Sequence, residues 1–181
     1  VAALEPTLSA LREADLPGLL PVTAGSAHIT LRFLGDVPAD RLEALPEALA
    51  VDAGVFPPFR LRLGEPGAFP AKGPPGVLWV GVEGDVDAAH RLHVLVDHAV
   101  KSRGHPAEDR KFVAHITVAR LARNATGLYR RRALQVLKES PPKKAAFEVD
   151  SIGLVASHLS PAGAKYERLA AVPLGSGARD A

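Results

Sequence analysis

The residues best suited to chemistry lie in a segment that occurs twice. Ala27-His28-Ile29-Thr30-Leu31-Arg32-Phe33-Leu34 returns, eighty-seven positions later, as Ala114-His115-Ile116-Thr117-Val118-Ala119-Arg120-Leu121. The chain holds seven histidines, three isoleucines and five threonines, yet two of each meet in the same His-Ile-Thr tripeptide, both times after alanine. At those frequencies even one such tripeptide is not expected by chance, so two suggest duplicated design. Each copy sits in an apolar, partly β-branched run that reads as a buried strand. Residues two apart on a strand share a face, roughly 7 Å apart. His28 and Thr30 therefore point one way, as do His115 and Thr117. If the two strands face each other, two imidazoles and two hydroxyls converge. A pair of core histidines satisfied by neighbouring threonines is the simpler alternative for one copy, and the matched pair argues against it.

Opposed imidazoles suit in-line displacement at phosphorus, where attacking and leaving oxygens lie on opposite sides. An unperturbed imidazole titrates near neutrality and serves as base or acid. Threonine hydroxyls can donate to non-bridging oxygens as charge develops there. A ribose 2′,3′-cyclic phosphate, a strained five-membered ring, would need no metal in such a site.

The positioning elements follow from periodicity. Val1–Leu4 reads as the end of a strand, and Thr7 as the N-cap of a short helix bearing Leu8 and Leu11. Gly18–Ser26 connects to the first motif strand, about Ala27–Leu34. Asp40 reads as the cap of a helix carrying Leu42, Leu45 and Leu49, with Pro46 forcing a kink or a late start. Phe59–Leu63 alternates as a strand, Gly64–Gly76 reads as a loop bordering the cleft, and Val77–Val82 is a strand. Asp85 is the expected cap of a helix over Val86–Arg103, ended by Gly104. After the second motif strand, Phe112–Leu121, Thr126 starts a helix that Pro141-Pro142 breaks. Phe147–Val155 and Tyr166–Pro173 close the chain around a Ser160-Pro161-Ala162-Gly163 turn. The expected fold is α+β and bilobal: two pseudo-symmetric lobes with mostly antiparallel sheets, flanked by helices, around a central cleft. One domain over residues 1–174 and a frayed tail from 175 to 181 are expected.

At 181 residues with 47% hydrophobic and 23% charged residues, the composition is that of a globular protein. The net charge of +2 requires any nucleic-acid affinity to come from a local patch. With no cysteine there is no disulfide, thiolate nucleophile or cysteine zinc site, which fits the cytoplasm. No apolar run reaches membrane-spanning length, and no signal-peptide pattern opens the chain. The absence of methionine and the start at Val1 leave open that N-terminal residues precede this sequence.

The chain resembles the 2H phosphoesterases, and within them the bacterial and archaeal RNA 2′,3′-cyclic phosphodiesterases, also called 2′-5′ RNA ligases. The resemblance runs from about Val1 to Leu174. It is carried by His28-Ile29-Thr30-Leu31-Arg32-Phe33-Leu34-Gly35, Leu61-Arg62-Leu63-Gly64 and Val77-Leu78-Trp79-Val80-Gly81-Val82. It continues in His115-Ile116-Thr117-Val118-Ala119-Arg120, Ser157-His158-Leu159-Ser160 and Gly163-Ala164-Lys165-Tyr166. The resemblance implies a bilobal cleft fold, His28 and His115 as the acid–base pair, and Thr30 and Thr117 as phosphate holders. It implies opening of the cyclic phosphate to a 2′-phosphate, with reverse 2′-5′ ligation of an RNA 5′-hydroxyl without ATP. Either histidine could be the base by sequence, His115 being the preferred one. Phe33 and Arg120 match positions that flank a nucleobase, a task to which aromatic faces and guanidinium planes are suited. The implied partners are RNA ends or small cyclic nucleotides. No cofactor, metal or obligate protein partner is implied, and a monomer is compatible. The chain departs from the pattern at Leu20–Ala24 and at Val113-Ala114.

Cleavage of 2′-5′ oligonucleotides and nucleotide binding without turnover are the competing readings. Arg130-Arg131-Arg132 with Lys138, Lys143 and Lys144 reads either as a guide for a phosphate backbone or as a solvated helix face. His90, His93 and His98 lack the spacing of a metal site. His105 and His158 have no evident chemical partner. No nucleophile elbow and no phosphate-binding loop is present.

Overall fold

The computed structural model describes residues 2–160 and 163–175. Pro161-Ala162 of the expected turn and 176–181 of the expected tail lie outside them.

The chain opens as a 3-10 turn, Ala2–Leu4, and not as a strand, running directly into helix α1 (Glu5–Glu13). The helical stripe of Leu8 and Leu11 extends back to Leu4, and all three are buried. Thr7 is therefore inside the helix and is not its cap; its Oγ1 donates to the Ser140 carbonyl at 2.8 Å. Helix α2 (Leu45–Ala53) starts late, with Pro46 in its first turn, where a missing N–H costs nothing. Helix α3 (Val86–Lys101) begins after Asp85, but the Asp85 carboxylate accepts from the Arg60 N–H and does not cap the helix. Helix α4 (Gly127–Glu139) is capped by Thr126, whose side chain accepts from the Tyr129 N–H.

Five strands, β1 (Leu19–Pro21), β2 (Phe59–Phe69), β3 (Val77–Gly84), β4 (His115–Leu121) and β5 (Ala146–Val149), form an antiparallel sheet in the order β1-β4-β3-β2-β5. Strands β6 (Ser151–Ser160) and β7 (Gly163–Pro173) form a separate hairpin. Strand β2 continues six residues past Leu63, through a stretch expected to be loop. Its register slips between Leu63 and Pro66, and β5 pairs only with residues 59–62. Pro66 thus sits beyond a bulge on an unpaired edge, where a strand tolerates proline.

The first motif departs most from expectation. Of residues 27–34 only Ile29 pairs, in a single antiparallel bridge to Ile116. The outer edge of β4 is shared: β1 takes residues 119–121, and the Ala24–Ser26 turn lifts the chain away before Ile29 returns. Beyond Thr30 the chain leaves the sheet for α3, where the Leu31 carbonyl meets His93 Nδ1 at 2.8 Å.

Two hydrophobic cores give the bilobal α+β arrangement. One joins α1 and α4 to Leu63, Leu78, Val80, Ile116 and Val118 of the sheet. The other joins α2 and α3 to Phe59, Leu61, Ile152 and Val172. Ile29, Val82 and Phe147 pack against both. Ile29 is partly buried between the two, so the first motif is anchored there where the lobes meet. Among the described residues no helix is long and apolar enough to cross a membrane.

Candidate active site

The Ile29–Ile116 bridge fixes the register of the two motifs. Antiparallel alignment about that bridge sets His28 level with Thr117 and Thr30 level with His115. The isoleucines turn toward the cores, Ile116 being buried. The four polar side chains share the other face, each threonine across from the other motif's histidine.

Both rings are hooked in the same way. His28 Nδ1 lies 2.7 Å from the Ser26 carbonyl, and His115 Nδ1 lies 2.7 Å from the Val113 carbonyl. A carbonyl only accepts, so each Nδ1 carries the proton, leaving each Nε2 able to accept one when the ring is neutral. Each acceptor stands two residues before its histidine, so the hook is repeated along with the tripeptide.

The surroundings of the two rings differ. On β3, Gly81 is opposite His115 and Trp79 is opposite Thr117; on β2, Gly67 is opposite Trp79. A Cβ on Gly67 would lie 2.2 Å from the indole, so only glycine lets Trp79 lie against the sheet there. Phe69 meets the His115 ring edge-on at 5.1 Å between centroids, Trp79 meets it at 5.8 Å, and the two aromatics touch at 5.2 Å. Burial pushes the His115 pKa below the ordinary imidazole range; the Val113 hydrogen bond opposes this, and the positive charges of Arg120 and His28 add to it. His28 is exposed, with Tyr166 of β7 edge-on at 4.8 Å.

Arg120 joins the site through a bulge. By strict alternation it would face away from His115 and Thr117. The register shift between Leu78 and Trp79 leaves Val118 as an extra residue in β4, so Ala119 turns inward and Arg120 is exposed on the His115 face.

Phe33 follows Thr30 by three residues. It is 49% exposed in an open concavity of ≈ 340 Å³, with the Arg110 guanidinium 4.8 Å above its ring. Among the described residues no ring contact joins Phe33 to either histidine. Its neighbour Arg32 has a side chain only 5% exposed. Arg32 pairs with Asp97 at 2.9 Å and Glu108 at 3.3 Å, and also donates to the Pro106 carbonyl. Glu108 accepts from the Phe33 N–H at 3.2 Å, so this ionic knot holds the first motif against α3 and the 106–110 loop.

The remaining basic residues divide. Arg130 is not available to a phosphate backbone: its guanidinium donates to the carbonyls of Ala125, Pro75 and Ala122. Arg132 pairs with Glu139 at 3.6 Å. His90 and His93 pack on Phe112, His93 stacked at 4.3 Å. His158 pairs with Glu167 at 3.1 Å, and His105 is buried. Sequence reasoning missed Phe69, Trp79 and Tyr166 as neighbours of the histidines. Ending β2 at Leu63 hid Phe69 and the glycine beneath Trp79, and the Tyr166 contact is long-range.

A model of the 2′-5′ RNA ligase superfamily matches residues 1–160. A relative from Aeropyrum pernix named RNA 2′,3′-cyclic phosphodiesterase is 36% identical over 155 residues, covering 84% of each chain. One of the same name from Geobacillus stearothermophilus is 35% identical over 147 residues, 81% of this chain but 45% of that protein. This chain therefore spans under half the length of that relative. Among solved structures, TT0787 of Thermus thermophilus superposes with a TM-score of 0.73 at 29% identity, covering 96% of this chain and 94% of that one. Escherichia coli LigT complexed with 3′-AMP superposes at 0.69 with 24% identity, covering 96% and 91%, and shares the fold.

Proposed function

The chain belongs to the 2′-5′ RNA ligase superfamily, and from that premise we propose that it hydrolyses 2′,3′-cyclic phosphates at RNA ends or on single nucleosides. The observation that carries the reading is the Ile29–Ile116 register, with both imidazoles hooked through Nδ1 on one face. The relatives named RNA 2′,3′-cyclic phosphodiesterase support the substrate class.

In this mechanism neutral His115 accepts a proton at Nε2 from the attacking water. The new oxygen–phosphorus bond forms as the bond from phosphorus to the ribose 3′ oxygen breaks. Protonated His28 gives its Nε2 proton to that leaving oxygen, and the product is a 2′-phosphate. The hook to a carbonyl suits both rings throughout, because Nδ1 carries a proton whether the ring is neutral or cationic. Thr30 and Thr117 donate to the non-bridging oxygens as their charge grows, and Arg120 supplies a positive charge on the same face. Two imidazoles complete the proton transfers, so the proposed reaction requires no metal. An RNA 5′-hydroxyl in place of water would give a 2′-5′ bond.

The test is incubation with adenosine 2′,3′-cyclic phosphate in excess EDTA, with products read by phosphorus NMR. The 2′-phosphate alone is expected. A 3′-phosphate would contradict the assigned leaving oxygen, and nucleotide binding without turnover would make the site a binding module.

A further inference from the structure

The two motifs present the same groups through the same hook, yet the reaction proposed above needs one histidine to accept a proton and the other to give one. Something outside the repeated tripeptides must break the tie. Strands β2 and β3 bring Phe69 and Trp79 to His115, whereas among the described residues His28 meets one aromatic neighbour, Tyr166. We infer that Phe69 and Trp79 are positioning residues that keep water from one side of the His115 ring and so make this histidine, rather than His28, the one that takes the proton from water. The inference rests on the reading under Proposed function and deepens it.

Three observations support this role. First, the indole lies flat only because its cross-strand partner is Gly67, so its position depends on a residue on another strand. Second, Trp79 Nε1 is the buried side-chain polar atom left without a partner among the described residues. An indole N–H enclosed without an acceptor is unfavourable, so its place against His115 is not owed to a hydrogen bond. Third, the charged groups facing His115 are Arg120 from its own strand and His28 from the first motif, while β2 and β3 present Phe69, Trp79 and Gly81. Both cations and the dry wall disfavour charging the same ring. Burial is the largest of these influences on His115, and Phe69 and Trp79 are among the groups that bury it.

The experiment is a titration of the His115 ring proton by NMR in the free protein, assigned by its loss in His115→Gln and repeated in Phe69→Ala and Trp79→Phe. The second variant keeps a ring on the sheet should the first fail to fold by circular dichroism. Opening the wall should raise the midpoint, by about half a unit or more in Phe69→Ala. The acidic limb of kcat/KM on adenosine 2′,3′-cyclic phosphate should move up with it. A merely structural role would lower the rate without moving the midpoint. An unchanged midpoint in the folded variants, or a limb that does not follow it, overturns the inference. Absence of turnover by the wild type overturns instead the reading on which it rests, because the midpoint is measured without substrate.

Discussion

The two His-Ile-Thr motifs are alike in what they offer and unlike in what holds them. His115 and Thr117 stand on a strand paired with β3 on one side and over an apolar core. His28 and Thr30 stand on a stretch that touches the sheet at one bridge and is then tied by Arg32 to Asp97, Glu108 and Pro106. The two histidine hooks are nevertheless the same, 2.7 Å to a carbonyl two residues earlier. The same presentation of the two histidines is thus reached from an apolar sheet in one motif and beside a buried ion cluster in the other.

Breaking either support should have the largest effect on stability. Arg32→Met leaves Asp97 and Glu108 without their buried partner and is expected to destabilise the fold by about 3 kcal/mol, read as a lower midpoint in urea. The corresponding cut beneath the second motif, Leu78→Ala, should cost about 2–5 kcal/mol through a cavity. Acid separates the two supports. The hydrogen bond from Lys101, aided by the Arg32 charge, holds the Asp97 carboxyl below its ordinary range. Its folded value is depressed, so its contribution is present above the unfolded value of about 3.9 and is lost as pH falls through the folded one. Wild type should therefore lose stability in that window, and Asp97→Asn should lose less of it there.

Thr30→Val and Thr117→Val should each lower kcat by about 100-fold, with Thr→Ser restoring most of it. Losses that differ by more than tenfold would break the parity of the two motifs.

The smallest effect sharpens the difference between the rings. Because His115 titrates below the ordinary imidazole range, of about 6.5, the neutral base persists to lower pH, and the acidic limb of kcat/KM should lie below that value. Arg120→Met removes a charge that favours the neutral ring, so the limb should move up by a few tenths of a unit, as measured by a pH–rate profile.

The proposed chemistry can be read from the sequence because it depends on residue types at a spacing of two. The repeated tripeptide pointed to His28, Thr30, His115 and Thr117, which the Ile29–Ile116 bridge sets on one face. Their supports were not legible, because they depend on distant contacts. Nothing local says that Ala24–Ser26 lifts the chain off β4, or that Arg32 finds Asp97 sixty-five residues away. Residues 64–69 looked like loop because proline and glycine are strand breakers by composition; an unpaired edge and a bulge made them admissible. Arg120 was identified by resemblance, but only the bulge at Val118 turns it to the site. Phe33, which the resemblance assigns to a nucleobase, lines an open concavity and carries the Arg110 guanidinium over its ring.

The most direct test of the central claim, that the two histidines act as one opposed acid–base pair, compares His28→Ala, His115→Ala and the double variant on adenosine 2′,3′-cyclic phosphate in EDTA. Groups that act as a unit give non-additive losses. Each single variant is predicted to lose about 10²–10⁴-fold in kcat, and the double variant to be little worse than the poorer single, with nucleotide binding retained in all three. Losses that multiply in the double variant, or a single variant that keeps near-normal turnover, would contradict it.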